Sequence, residues 1–178
     1  MRKMIVLLIL IVLLGACQPK DELKEKIYDG EALRVAVIGD VPKVREDQVN
    51  FEKVSWKEMA ELTVSEYDAV IVMEDHLPEA AAKKNKEIYK KINIPFFFVG
   101  SKASHVPFTS EDNSLSYKEH AERINDDENF ISGILYKSKK EGFNGWKFSY
   151  PIENNKFQKD KVKGIYSAVF KVVEAESL

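Results

Sequence analysis

Three short segments of almost continuous apolar residues place the strongest constraint on how this chain folds. They cover residues 33–39, 69–73 and 94–100, they are rich in Val, Ile and Phe, and each ends at Gly or at an acidic residue. A strand with one face in water alternates apolar and polar residues, whereas a strand buried on both faces is apolar throughout. The sequence therefore predicts a parallel sheet that is covered by helices.

Helical signals lie between and after these segments. Ser55 and Glu58 have the spacing of a capping box and predict the start of a helix over residues 56–62. Residues 79–92, rich in Ala, Lys and Glu, predict one continuous helix, and residues 116–125 predict a more polar one. The last helix has the clearest pattern, because apolar residues at intervals of three and four form one stripe. These residues are Val162, Ile165, Tyr166, Val169, Phe170 and Val173.

Three further strands complete the predicted sheet. Residues 51–54 form a short second strand, while residues 131–137 and 146–150, joined through the glycines of residues 142–145, form a fifth strand and an antiparallel edge strand. Strands and helices alternate along the chain, which indicates an α/β fold with right-handed crossovers. We therefore expect one domain over residues 32–178, an open and mostly parallel sheet of flavodoxin-like, three-layer arrangement.

The strand segments and the turns after them are similar to a known family. Residues 34–46 are RVAVIGDVPKVRE, residues 67–78 are YDAVIVMEDHLP, and residues 94–102 are IPFFFVGSK. These segments resemble the first, third and fourth strands of the receiver domains of response regulators. The resemblance covers roughly residues 33–103 and implies the flavodoxin-like fold.

The same resemblance implies that the phosphotransfer activity of receiver domains is missing. The acidic pair that binds magnesium in that family falls on Gly39 and Asp40, so one of the two carboxylates is absent. The phosphoacceptor aspartate falls on Glu74 or on Met73, depending on whether the turn or the strand is aligned. The resemblance therefore supports the fold and argues against phosphotransfer.

The N-terminal segment has the order of an export signal. Arg2 and Lys3 precede an apolar run over residues 4–14, and the small residues of LGAC at positions 14–17 follow. The run is too short for a transmembrane helix, which needs about 20 apolar residues. The LGAC ending resembles the lipobox of bacterial lipoproteins, in which the cysteine thiol receives a diacylglyceryl group and the preceding peptide is cleaved.

This second resemblance implies an anchor and a location. Residues 1–16 would be a signal peptide, and Cys17 would be the lipidated first residue of the mature protein. Two acyl chains such as palmitate hold a protein on a bilayer, so we expect it at the extracytoplasmic face of the cell membrane. Residues 17–31 are short of large apolar residues and predict a tether; a short amphipathic helix that uses Leu23 and Ile27 is the alternative.

Charge and cysteine content limit the classes of partner. Removing residues 1–16 takes away Arg2 and Lys3, so the formal charge falls from −2 to −4. A net negative domain argues against nucleic acid, whose phosphates require clustered Lys and Arg. Once Cys17 is lipidated, no thiol remains for a disulfide or a thiolate metal site. The membrane, an envelope protein and a small ligand are the partners that we expect.

Polar side chains follow the predicted parallel strands at their carboxyl ends, where open α/β sheets bind ligands. Such carboxylates and imidazoles suit a divalent metal ion or acid–base chemistry. The alternative is a solvated loop edge without a site, since loops are generally polar. The candidate crevice residues are Asp40 after the first strand, Glu74, Asp75 and His76 after the third, and Ser101 and His105 after the fourth.

The motifs of the commonest enzymes are missing from the sequence. It contains no G-x-S-x-G, no P-loop, no G-x-G-x-x-G and no H-E-x-x-H. Because a fold alone implies no chemistry, we expect a membrane-anchored binding or accessory module for an envelope partner or a small ligand. The alternative is an exported hydrolase or a metal-dependent enzyme that uses the strand-end Asp, Glu and His residues.

Overall fold

The computed structural model describes residues 26–62, 66–137 and 142–177. The predicted signal peptide, the lipobox and Cys17 lie outside these residues. Within the described part of the chain, the structure contains no helix that is both long and apolar enough to cross a membrane. The described residues form an α/β structure around one six-stranded sheet.

The main sheet is mixed and mostly parallel. Its strands are β1 (Leu33–Ile38), β2 (Val49–Lys53), β3 (Ala69–Val72), β4 (Phe96–Val99), β5 (Asn129–Leu135) and β6 (Asn144–Ser149). Their order is β2-β1-β3-β4-β5-β6. Strands β2, β1, β3 and β4 pair in parallel, whereas the β4–β5 and β5–β6 pairs are antiparallel. The predictions of an α/β fold and of an antiparallel edge strand are confirmed.

Six helices and one hairpin accompany the sheet in the described residues. The helices are α1 (Trp56–Glu61), α2 (Leu77–Ala80), α3 (Lys83–Lys91), α4 (Val106–Thr109), α5 (Tyr117–Ile124) and α6 (Lys163–Ser177). A 3-10 turn (Glu74–His76) precedes α2, and strands β7 (Ile152–Glu153) and β8 (Lys156–Phe157) form the hairpin. The sequence did not predict α4 or the hairpin, because elements of two to four residues are too short to show a period.

The predicted start of α1 is confirmed by both hydrogen bonds of a capping box. The Glu58 backbone N–H donates to Ser55 Oγ at 3.3 Å, and the Ser55 backbone N–H donates to Glu58 Oε2 at 2.7 Å. Ser116 and Glu119 make the same pair of bonds at the start of α5. Asn125 ends α5 in the left-handed conformation, with φ 48°. Polar side chains therefore fix the start of two helices, and a left-handed backbone residue ends α5.

The prediction of one continuous helix over residues 79–92 is wrong. Ala82 is extended, with φ −65° and ψ 141°, and separates α2 from α3. The Asn85 side-chain Nδ2 donates to the Glu79 carbonyl at 2.8 Å. In a continuous helix that carbonyl would accept from the Lys83 backbone N–H, so the Asn85 side chain replaces a helical bond.

The sheet is apolar on both faces because successive strand residues point to opposite sides. The Phe96 and Phe98 rings pack against Tyr89 of α3, with ring centroids 4.7 and 5.5 Å apart. Phe97 points to the other face and belongs to a second buried cluster that contains Phe170 of α6. The three consecutive phenylalanines of β4 therefore contribute to the core on both sides of the sheet.

The core includes a residue of the predicted tether. Tyr28 is buried, and its hydroxyl donates to the Glu31 carbonyl at 2.8 Å and to Glu174 Oε1 of α6 at 3.2 Å. Its ring lies 6.0 Å from that of Phe170, measured between centroids. Any free tether must therefore end before Tyr28, since that side chain is part of the core.

Candidate functional site

Two adjoining clefts lie at the carboxyl ends of β1 and β3. The larger has a volume of about 540 Å³ and is bordered by the end of β1, the start of α1 and one side of α3. The smaller has a volume of about 270 Å³ and is lined by Gly39, Asp40, Met73, Glu74, Asp75 and His76. Gly39 and His76 line both, so the two clefts form one continuous edge of the sheet.

Gly39 allows His76 to lie over the end of β1. Its φ is +116°, a conformation that L side chains rarely adopt. A Cβ atom at this position would lie 2.8 Å from Met73 Cβ and 3.0 Å from His76 Cδ2. The absence of a side chain at Gly39 is therefore what leaves room for the imidazole between the clefts.

Asp40 is paired with a lysine of the neighbouring strand. Its carboxylate accepts a hydrogen bond from Lys53 Nζ at 2.7 Å, and its side chain is 94% exposed. This hydrogen bond and the ammonium charge lower the pKa of Asp40 below its usual value, with a small further contribution from His76. Asp40 is therefore a solvated anion that already has a cationic partner.

Glu74 and Asp75 lie in the 3-10 turn after β3, and both are exposed. Glu74 extends across the end of the next strand, because a Cβ atom on Gly100 would lie 2.9 Å from its carboxyl carbon. Gly100 has φ +75°, so a second glycine makes room for a site side chain. The structure thus places four of the six predicted crevice residues around the smaller cleft: Asp40, Glu74, Asp75 and His76.

The other two predicted residues, Ser101 and His105, line neither of these clefts in the described structure. Ser101 is fully buried, and its hydroxyl donates to the Ser104 carbonyl at 2.7 Å. Asn129 Nδ2 donates to the Ser101 carbonyl at 2.7 Å. Ser101 therefore closes the loop after β4 from the inside, and the expectation that it joins the crevice is corrected.

His105 lies apart from the clefts beside the loop before β6. Its ring meets the edge of Phe143, with centroids 5.2 Å apart, and burial lowers the pKa of the imidazole. Ser104 has a left-handed backbone, with φ 52°, and its Oγ lies 3.4 Å from His105 Nδ1. A hydroxyl beside a neutral imidazole is the basis of nucleophilic catalysis, but this distance exceeds the usual 2.6–3.2 Å.

The described residues do not assemble a metal centre. No three His, Cys, Asp or Glu side chains among them lie close enough to hold an ion. The Asp40 carboxylate is hydrogen-bonded to Lys53 Nζ, and the Glu74 side chain extends toward Gly100. The divalent metal that the sequence allowed stays a prediction.

The larger cleft contains residues that the sequence did not identify as a site. Its apolar floor includes Ile38 at the end of β1, Trp56 of α1 and Ile88 of α3. Trp56 is only 7% exposed, and its indole Nε1 has no hydrogen-bond partner among the described residues. Nothing in the sequence places α3 against this tryptophan, so the larger cleft could not be predicted from it.

The rim of the larger cleft is charged. Lys57, Lys84, Glu79 and His76 surround it, and Lys84 Nζ lies 3.9 Å from Glu79 Oε1. Both members of that pair are largely exposed, so the pair contributes little to stability. The two lysines outnumber the one carboxylate, which gives the rim an excess of positive charge.

The chain was compared with models of protein families, with curated proteins and with solved structures, and none of them matches. The interpretation of the clefts therefore depends on their geometry and chemistry alone.

Proposed function

We propose that this protein is a lipid-anchored, extracytoplasmic binding module that holds a small organic ligand in the larger cleft. The anchor is inferred from LGAC at positions 14–17. The observation that carries the binding function is the cleft of about 540 Å³, which combines an apolar floor with a charged rim. Sites for small ligands have volumes of roughly 300–1,000 Å³ and this same mixture of surfaces.

We further infer a flavodoxin-like, three-layer arrangement. The first five strands have the order 2-1-3-4-5, which is the order of that fold, although β5 is antiparallel. Buried apolar clusters on both faces of the sheet support the same inference. In such folds the ligand binds beyond the carboxyl ends of the strands, in the crevice between the two neighbouring strands where the strand order reverses. Here those strands are β1 and β3; the smaller cleft lies between their ends, and the larger one adjoins it at the end of β1.

The lining of the larger cleft indicates the chemistry of the ligand. Ile38, Trp56 and Ile88 favour an apolar group in the ligand. Lys57 and Lys84 favour a negative charge at the rim. A small organic acid with an apolar portion meets both requirements. The size of the cleft favours such a ligand over an envelope protein partner.

Two substitutions on one helix test this function. Ala60 lines the cleft, and Ala60→Trp would fill it, whereas Glu61→Trp adds the same side chain to an exposed position of α1 outside the lining. We expect ligand-observed NMR with a set of small aromatic and aliphatic carboxylic acids to find binders that Ala60→Trp loses and Glu61→Trp retains. A set without any binder, or binders that Ala60→Trp leaves unchanged, would contradict the proposal.

An exported hydrolase or metal-dependent enzyme remains the alternative function. The observation that favours it is the shared cleft of Asp40, Glu74, Asp75 and His76. An enzyme of this kind would turn over small esters and lose that activity in the His76→Asn variant. A binding module would show no turnover in either protein.

A further inference from the structure

The β7–β8 hairpin carries an exposed apolar pair that the fold itself does not use. Ile152 and Phe157 are directly opposite each other in the hairpin, so their side chains share one face. Their exposed fractions are 62% and 40%, among the highest of the large apolar side chains. Asn154 and Asn155 form the turn, with φ 50° and 59°, which is typical of a two-residue hairpin.

The hairpin projects beside the place where the described chain begins. It connects the end of β6 to the start of α6, and a shallow cleft brings Ser149 and Gly164, from those two ends, together with Lys26. Ile27, the next residue, is 51% exposed. From Lys26 back to Cys17 is a span of nine residues. Even fully extended, nine residues reach only about 30 Å.

The segment around the exposed pair is rich in lysine, although Lys156, opposite Glu153 in the register, points to the other face of the hairpin. Residues 151–163 contain four lysines, all exposed, and two acids. One of those acids, Glu153, is paired with Lys161, whose Nζ lies 2.6 Å from its carboxylate. The rest of the domain is net negative, so this excess of lysine is a local feature. Exposed apolar side chains in a lysine-rich segment are typical of proteins that bind the surface of anionic bilayers.

We propose that this hairpin surface, formed by Ile152 and Phe157 together with Lys159 and Lys163 that follow them in the chain, docks on the anionic lipid bilayer that carries the anchor. The inference rests on the proposed lipidation of Cys17. Docking fixes the orientation of the domain, because the bilayer then holds it at two points. Ile152 and Phe157 enter the interfacial region of the bilayer, and the lysines lie at the level of the lipid phosphates.

A fluorescent label on the mature protein tests the docking. Asp160→Cys places a thiol three residues after Phe157 and keeps both apolar side chains and all four lysines. A lipidated Cys17 has no free thiol, so a polarity-sensitive dye attaches only at position 160. We expect its emission to shift to the blue in vesicles of phosphatidylglycerol, with quenching by brominated lipid, and to shift less in vesicles of phosphatidylcholine.

Two sets of variants identify the side chains responsible. In the labelled protein, Ile152→Ser with Phe157→Ser should abolish the blue shift in both vesicle types, and Lys159→Gln with Lys163→Gln should reduce it to the phosphatidylcholine value. The control is Ile124→Ser on α5, since Ile124 is 39% exposed and lies outside the hairpin. Ile124→Ser should leave the shift unchanged.

The outcomes separate a failed docking from a failed anchor. Two dyes per chain would mean that Cys17 has a free thiol, and the proposed lipid anchor would then be wrong. Adding vesicles to that unlipidated protein would still test whether the hairpin binds the bilayer. If the protein carries one dye per chain but the dye emits like a water-exposed probe in phosphatidylglycerol vesicles, the docking proposal is overturned. That is the result expected if the hairpin surface binds a protein instead of the bilayer. A blue shift that survives the double serine variant would overturn it too.

Discussion

At the scale of single residues, the candidate site depends on two glycines. Gly39 makes room for His76, and Gly100 makes room for Glu74; both have positive φ. In each case the side chain that occupies the space comes from the turn after β3. A substitution at either glycine should therefore change the site and the stability of the chain together.

Gly39→Ala should destabilise the protein by about 3 kcal/mol, because the new Cβ would be strained and would contact Met73 at 2.8 Å. Gly142→Ala is the matched control, since Gly142 also has positive φ but the described residues place no atom within 4 Å of the added Cβ. That change should cost about 1 kcal/mol. Urea denaturation of both variants measures the difference. Equal midpoints would show that the contact with Met73 and His76 has no energetic effect.

His105 should make the protein less stable in acid. Burial lowers its pKa below the ordinary value of 6.5, so the folded state prefers the neutral imidazole. Above that value both states are neutral, and the full stability is present; as the pH falls through 6.5, the unfolded state binds the proton first and gains stability. His105→Gln should therefore reduce the loss of stability between neutral pH and the folded-state pKa. Thermal melts of the parent and of His105→Gln across this pH range measure the difference. An identical pH dependence of the two melting temperatures would contradict the role of His105.

At the scale of elements, α6 should provide much of the stability on its side of the sheet. Phe170 is fully buried and lies against Tyr28 and Phe51, with ring centroids 6.0 and 6.2 Å away. Phe170→Ala should lower the free energy of unfolding by about 3–5 kcal/mol. The neighbouring Lys171 is exposed, so Lys171→Ala should change it by less than about 0.5 kcal/mol. Denaturant titrations measure both, and a Phe170→Ala protein as stable as the parent would contradict the packing of α6.

The elements that the sequence predicted are those with a local signal. Continuous apolar runs indicated β1, β3 and β4, and the spacing of Ser55 and Glu58 indicated the start of α1. The break between α2 and α3 could not be predicted in this way. At the break, the Asn85 side chain donates a hydrogen bond to the Glu79 carbonyl. The surrounding residues all favour a helix, so nothing in the sequence indicates that this bond forms.

At the scale of the whole molecule, the sequence predicted which edge of the sheet carries the clefts but not which residues line the larger one. Strand ends in a parallel sheet share an edge, so Asp40 and His76 were expected to be near each other. Trp56 and Asn85 were not, because their position depends on how α1 and α3 pack together. Ser101 follows a strand end as well, yet it turns inward to bond the Ser104 carbonyl. A loop conformation of that kind cannot be predicted from the spacing of apolar and polar residues.

The proposed anchor and hairpin docking would together give the domain a defined place at the bilayer. Two acyl chains on Cys17 would hold the protein permanently, and the hairpin would decide which side of the domain faces the lipid. The clefts at the carboxyl ends of β1 and β3 would then have a fixed orientation relative to the membrane. Loss of the anchor should leave the domain folded, since the buried clusters of the described residues stabilise the sheet without a contribution from a lipid.

Mass spectrometry of the N-terminus tests the lipid anchor most directly. In protein isolated from the membrane fraction of bacteria that express the full chain, we predict that the first residue is Cys17 and that it carries a diacylglyceryl group. Cys17→Ala should block both the cleavage and the lipid attachment. A native chain that keeps Met1 and has an unmodified Cys17 thiol would contradict the account.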